Sequence, residues 1–503
     1  MCDQSSELPK FSSVVVRCLT RPSGAHGRFI LDQEKKISKY QNFLNYHSID
    51  DLFKVYGPVV RIAPTTVAFL DPDYEQQTTR MVYTALKLDK GPIYNAVQMY
   101  MPASLKTRDT LTMVNSQYRV AIIEHNVHAK YKCIFSSHYS PGNIALLHPD
   151  MKVSVELLIQ KILEAKGQPV DIFHGMHLVM IDLILKSTFG HDQGALEVWS
   201  EHSHDIIIDI PQQGIVPKWL FSLVRRFPNK RWQTFCSSSD TLFDTMADFV
   251  REQQKEKDEG RLDERDNSTL IERLFAHNDS CAPGDQLSFE DMTSESTTHL
   301  LAGVDASAVA VSYILWRFAN QPLGIKQQIQ AELDDAIPDA GVLPNWKTLH
   351  NLPILDALFK EGLCLYGPIP TFLERLAPRG VPLNLLGYQL PPGTVIGTQS
   401  WSMHQNARIF GNPEEFDISR WLDNTNQLQD AMSQAWAPYR LGTRICIGQH
   451  LARGAMKTVL AALLRNFDVL PCPETNDETM DMMELFGMFP VGLSCKLKFH
   501  PHT

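Results

Sequence analysis

Ten residues near the C-terminus constrain this chain more than any others: Tyr439-Arg440-Leu441-Gly442-Thr443-Arg444-Ile445-Cys446-Ile447-Gly448. Gly442 permits a tight turn, and Gly448 lets another atom come close to the backbone. A helical pattern follows from about Ile447 to Phe467, with Leu451, Met456, Val459, Leu460, Leu463 and Leu464 as its apolar stripe. Cys446 thus precedes a helix, where free N–H groups and the macrodipole favour an anion. A lone cysteine at such a place is most simply a buried free thiol. The spacing of its neighbours argues for a thiolate ligand instead. Such a ligand needs a fixed backbone to aim the sulfur, donors to temper its charge, and exclusion of water.

The remaining pattern is mostly helical. Residues 150–166 carry Val155, Leu158, Ile159 and Ile162 at helical spacing. Ser288, with Asp291 three residues on, opens a helix of roughly 30 residues that stops at Asn320, before Pro322. Shorter helices are predicted from Leu323 to about Ala336 and from about Pro353 to Leu365. Strand signals are short and separated: Val59 to Ile62, Gly387 to Pro391, and Gly393 to Ile396. The charge run Arg251 to Asn267 reads as a solvated linker.

Composition narrows the function. Acidic residues number 57 against 47 basic, a formal charge of -10, which argues against a nucleic-acid binder. Nine cysteines without a C-x-x-C pair indicate a reducing compartment, not a disulfide framework. In a cytosol-facing chain, the sequons at Asn267 and Asn278 are chance matches. No membrane span is predicted. The run around Val14 stops at Arg17, and that from Leu178 to Leu185 is broken by Asp182.

The cysteine segment resembles the haem loop of the cytochromes P-450, whose pattern is F-x-x-G-x-R-x-C-x-G. Only Tyr439 departs, and it keeps an aromatic ring there. Tyr56 to Pro64 is similar to an early strand of filamentous-fungal members, and the likeness extends over about residues 40–498. It implies a mainly α fold, a helical body with a small β-rich lobe. Residues 41–503 would form a single domain behind an irregular segment, 1–40. Cys446 would be the axial ligand of haem b. His128, Lys132, Arg375 and Arg444 would meet the haem carboxylates, which as buried anions need charged partners. Phe416 to Trp421 resembles the segment whose Arg420 supports the fold.

The same resemblance implies an oxidoreductase that uses molecular oxygen and electrons from an NADPH-cytochrome P-450 reductase. An apolar small molecule of fungal secondary metabolism is its expected substrate. Localisation would be cytosol-facing, peripheral on the endoplasmic reticulum. The substrate pocket would draw on residues around 89–127 and 196–235 and on Ala302 and Val304.

Two departures qualify this reading. Ala302-Gly303-Val304-Asp305-Ala306-Ser307 resembles A-G-x-D-T-T, with Ala306 where the family's threonine helps deliver protons. Asp305 remains, and Ser307 offers a hydroxyl about 100° further round the helix. Glu361-Gly362-Leu363-Cys364 resembles E-x-x-R with Cys364 in place of arginine, so Glu361 is expected to rely on Arg420 alone. These substitutions keep two alternatives open: a haem-thiolate enzyme of non-oxygenating chemistry, and a degenerate paralogue that binds haem without turnover.

Overall fold

The computed structural model describes residues 46–71, 78–92, 122–191, 194–199, 209, 226, 229–261, 268–339, 343–423, 428–484 and 487–502. They fall into two compact units. The first takes its residues from Met1–Pro92, Pro370–Pro413 and Asp430–Arg444. The second takes its residues from Ile93–Ile369, Glu414–Gln429 and Ile445–Thr503.

The first unit is built on a four-stranded sheet. Helix α1 (Tyr46–Tyr56) leads into β1 (Val59–Ala63) and β2 (Thr66–Phe69). The sheet gains β3 (Leu373–Leu376) and β6 (Val395–Thr398), between which β4 (Leu383–Leu385) and β5 (Tyr388–Leu390) form a separate hairpin. The order is β1-β2-β6-β3. β2 and β6 run parallel, with Val67 opposite Ile396, while β3 pairs antiparallel with β6 through Arg375 and Ile396. Side chains alternate across the sheet. Val59, Val67 and Phe69 join a core with Val82, Tyr83, Leu88 and Leu385. Val60 and Ala68 instead pack with Ile49 and Phe53 of α1. Burying each such large side chain contributes roughly 1.5–3 kcal/mol.

The second unit is helical. Its main members are α2 (His125–Phe135), α3 (Pro141–Glu164), α4 (Ile172–Phe189), α5 (Lys230–Asp258), α6 (Leu270–Ser280), α7 (Phe289–Ala319), α8 (Leu323–Ala336), α9 (Pro353–Leu365) and α10 (Gln449–Asn466). A three-stranded sheet of Val170–Asp171, Lys496–Pro501 and Phe467–Pro471 lies in the same unit. α7 opens with the expected capping box, Ser288 and Asp291 each bonding the other's backbone N–H. At 31 residues, it spans roughly 46 Å.

Two expectations need correction. The charge run from Arg251 is helix as far as Asp258, not linker. Its Gln, Glu and Lys residues have high helix propensity, and Lys257 Nζ reaches Asp279 of α6 at 2.6 Å. Nor does Asp182 break the run around it. α4 is continuous and almost wholly buried, and Asp182 accepts the N–H groups of Ala195 and Leu196, each at 2.9 Å. α4 and the stretch Pro283–Ala319 are long and apolar enough to cross a membrane, but most of each lies buried in the protein. A helix that is apolar all round has this composition because it is core. The predicted N-terminal segment, residue 267, most of the 89–127 region and much of the 196–235 region lie outside the described residues.

Candidate functional site

Backbone geometry aims Cys446. Arg440 and Gly442 adopt left-handed conformations, with φ of 66° and 76°, and a 3-10 turn covers Gly442–Arg444. A methyl on Gly442 would collide with the Tyr83 carbonyl, so only glycine fits there. Arg440 Nη2 bonds the Thr371 carbonyl and pins the turn. After Cys446, Gly448 becomes the N-cap of α10. Its N–H acts to lower the Cys446 thiol. A Cβ at Gly448 would stand 4.0 Å from Sγ and 3.9 Å from the Tyr139 ring.

The electrostatics around the sulfur oppose one another. Burial pushes the Cys446 thiol up, while the Gly448 N–H and Lys132 pull it down. The Cys446 residue itself is exposed. Lys132 is carried by α2, and its Nζ donates to the Ile445 carbonyl at 3.4 Å. His128 lies one turn earlier on the same helix face and is half-buried.

In the first unit three cations gather. Arg375 is 3% exposed. It donates to the Glu374 carbonyl at 2.8 Å and stacks 4.7 Å from the Tyr83 ring centroid. Lys90, 6% exposed, bridges to Arg375 through its backbone. Burial holds Lys90 well below the ordinary lysine range, and repulsion from Arg444 and Arg375 lowers it further. Like charges buried together call for an anion, so this cluster fits the carboxylates of a haem. Sequence reasoning missed Lys90. A single lysine in a Gly-Pro turn carries no pattern, and its role emerges only from the pairing of its backbone with β3.

The central turn of α7 separates its candidates. Ala302 is exposed and Ala306, one turn on, is half-open. Ser307 is 2% exposed and points into the packed interior, as the rotation per residue requires. Asp305 lies 3.6 Å from Nε2 of His177 on α4. Burial raises the Asp305 carboxyl, and His177 opposes that shift.

The expectation that Glu361 relies on Arg420 alone is also corrected. Arg420 Nε stands 3.3 Å from Glu361 Oε2. Trp421 Nε1 donates to the same oxygen at 2.7 Å, and the Asp417 N–H donates to Oε1 at 2.8 Å. Burial still raises Glu361 to about 7 against these donors. Cys364, buried on the same helix, has its thiol pushed well up by burial and by Glu361.

A family model described as Cytochrome P450 matches residues 93–497. The chain belongs to the cytochrome P450 family. It is a monooxygenase with a haem cofactor, and it uses oxygen and a redox partner. Curated relatives agree at low identity. "Cytochrome P450 monooxygenase orf6" of Eupenicillium brefeldianum is 24% identical over 447 residues, covering 86% of this chain and 84% of its own. "N-acetyltryptophan 6-hydroxylase ivoC" of Emericella nidulans is 24% identical over 456 residues, covering 88% and 85%. Among solved structures, the cytochrome P450DA heme domain matches with a TM-score of 0.66 at 17% identity, covering 88% of this chain and 90% of that one. That likeness supports the mainly α fold.

Proposed function

We propose that Cys446 is the axial thiolate of the haem and that residues 41–503 act as one monooxygenase domain on an apolar small molecule of fungal secondary metabolism. The observation that carries this is Cys446 set between the Gly442–Arg444 turn and Gly448, the N-cap of α10, where a Cβ would stand 4.0 Å from its sulfur. Bound haem supplies the oxygen-activating chemistry, which thiolate donation favours. The chain's residues supply the rest. The Gly448 N–H and Lys132 stabilise the sulfur as an anion. Arg375, Arg444 and Lys90 hold carboxylate charge, and His128 and Lys132 add to it from α2. Ala302 and Ala306 present a small apolar face to the substrate.

The electron donor on this reading is NADPH-cytochrome P450 reductase, and the enzyme sits peripherally on the cytosolic face of the endoplasmic reticulum. Fungal relatives, one of them a hydroxylase of N-acetyltryptophan, support a small-molecule substrate. Purified protein with reductase and NADPH under labelled oxygen tests the function: one labelled atom should enter the product. A product without label would establish non-oxygenating chemistry instead. Cys446→Ser tests the ligand. A hydroxyl is a poor donor to iron, so the far-red-shifted Soret band of the ferrous carbonyl complex should vanish. Its persistence would disprove the assignment.

A further inference from the structure

Tyr83 touches three parts of the first unit at once. It stands in a π-helical turn, Met81–Ala85, where the Leu86 N–H closes on the Met81 carbonyl at 3.3 Å. Such a turn holds one residue more than an α-helical one. The Tyr83 hydroxyl donates to the Leu373 carbonyl of β3 at 2.8 Å and accepts the Thr398 N–H of β6 at 3.0 Å. Leu373 and Thr398 are cross-strand partners, so the hydroxyl bridges two groups that would otherwise bond each other at this rung of the ladder. At its other end, the Tyr83 carbonyl fills the space a Cβ at Gly442 would need. The ring between these two anchors is buried, 6% exposed.

The ring face carries Arg375. The guanidinium lies 4.7 Å from the ring centroid, within the range of a cation–π contact. One N–H donates to the Glu374 carbonyl at 2.8 Å. Lys90 is close enough for its charge to repel that of Arg375. A guanidinium has five N–H groups. The ring face uses none of them and the carbonyl uses one, so the others remain for a carboxylate. An ion pair with a protein carboxylate would aim the side chain as firmly, but it would consume those same groups. Left unstacked, a side chain of this length samples many rotamers and has to be ordered when it binds.

We propose that Tyr83 is a positioning residue for the haem: its ring, pinned through the hydroxyl and the carbonyl, holds the Arg375 guanidinium aimed at a haem carboxylate. This rests on the reading of Arg375, Arg444 and Lys90 as the cations that hold carboxylate charge. Tyr83 acts on the cofactor through Arg375. Its neighbours in the core include the aliphatic Val82, Leu88 and Leu385, so burial alone does not demand an aromatic ring there. Leucine would keep apolar bulk at the site but offers no π face and no hydroxyl. Phenylalanine keeps the face and loses only the bridge between the strands. The two variants therefore separate the grip on Arg375 from the stability of the sheet.

Haem loss tests it. Holoenzymes are formed with haem b and with its dimethyl ester, whose carboxylates carry no charge, and transfer of the cofactor to an excess of a scavenging globin is timed. The wild type should hold haem b longer than the ester. Tyr83→Leu should lose haem b about two- to tenfold faster than the wild type, the span set by ordering one freed side chain, yet lose the ester at the wild-type rate. Tyr83→Phe should unfold at lower urea than the wild type, because the Thr398 N–H and the Leu373 carbonyl lose their shared partner, but should keep haem b at close to the wild-type rate. Excess loss from Tyr83→Leu that persists with the ester would overturn the proposal, because damage to the fold does not distinguish the two cofactors. So would haem b leaving Tyr83→Phe as fast as it leaves Tyr83→Leu. If Tyr83→Leu takes up no haem b, its uptake of the ester decides: uptake at the wild-type level supports the proposal, and failure with both overturns it. Equal loss of haem b and ester from the wild type would refute the carboxylate reading of the cations and the proposal with it, whereas the other failures leave that reading standing.

Discussion

Glu361 should make this protein less stable as the pH rises, and Glu361→Gln should remove that dependence. The carboxyl is 1% exposed. Burial raises it from the ordinary 4.5 to about 7, against Arg420 and the N–H donors of Asp417 and Trp421. Each tenfold change in proton affinity is worth about 1.36 kcal/mol, so the raised affinity is worth roughly 3 kcal/mol. The sign follows from where the proton is held more tightly. Below pH 4.5 the contribution to stability is fully present. It declines as pH rises and is lost once pH passes about 7, where the folded chain must hold a buried charge. Glutamine cannot ionise. It leaves the Asp417 N–H facing an amide, at a cost of about 1–3 kcal/mol, but that cost does not depend on pH. Guanidinium denaturation of both holoenzymes at about pH 5 and about pH 8 isolates the effect, because all other titrating groups cancel in the difference. Between those values the wild type should lose roughly 2.5 kcal/mol relative to Glu361→Gln. A difference that stays constant to within about 1 kcal/mol would refute the reasoning.

Gly442→Ala places a methyl against the Tyr83 carbonyl at a φ of 76°. It should cost at least about 1–3 kcal/mol and reduce haem retained on purification, read from the ratio of Soret to protein absorbance. Ala306→Thr tests whether the substrate brings its own hydroxyl to the half-open face. The wild type should couple tightly with the native substrate and leak peroxide with a deoxygenated analogue, and the threonine variant should recover part of that loss. Equal coupling with both substrates would refute substrate assistance. The chain of residues 1–503 should leave the membrane fraction on carbonate washing, since the two long apolar helices among the described residues are largely buried in the protein. Pelleting that survives carbonate would contradict peripheral attachment.

Local pattern made most of the helical body legible. The capping box at Ser288 and the breaker at Pro322 bound α7. α8 and α9 match the predicted Leu323–Ala336 and Pro353–Leu365. The charge run after Arg251 misled because its residues serve a solvated helix as well as a linker. At the site, Cys446 was legible because its flanking residues are contiguous in sequence. Lys90 and His177 were not. Each acts through an element far away along the chain, and neither stands in a local pattern that would separate it from an ordinary surface lysine or core histidine. Glu361 was half legible: its arginine partner could be named, but the Trp421 and Asp417 donors depend on how the turn Ile418–Trp421 meets α9.

That turn also shows how the chain tolerates Cys364. An arginine at that position would give Glu361 a second cation, and two neutral N–H donors stand in for it here. Neutral donors satisfy the oxygens without supplying opposite charge, so the carboxyl remains near 7, not in the ordinary acid range. What holds α9 in place is then distributed. Glu332 of α8 accepts the N–H groups of Ile354 and Leu355 at 2.7 and 2.8 Å, capping the start of α9. Lys457 of α10, 1% exposed, pairs with Asp356 of α9 at 2.7 Å. Breaking a buried pair of this kind costs about 3–5 kcal/mol. α10 begins at the residue after Gly448, where a Cβ would stand 4.0 Å from the Cys446 sulfur. The Asp356–Lys457 pair therefore ties the helix that carries Glu361 to the helix that sets the cysteine loop. The position of Cys446 thus depends on a lysine and an aspartate at the far end of the network, as well as on the glutamate that lost its usual arginine.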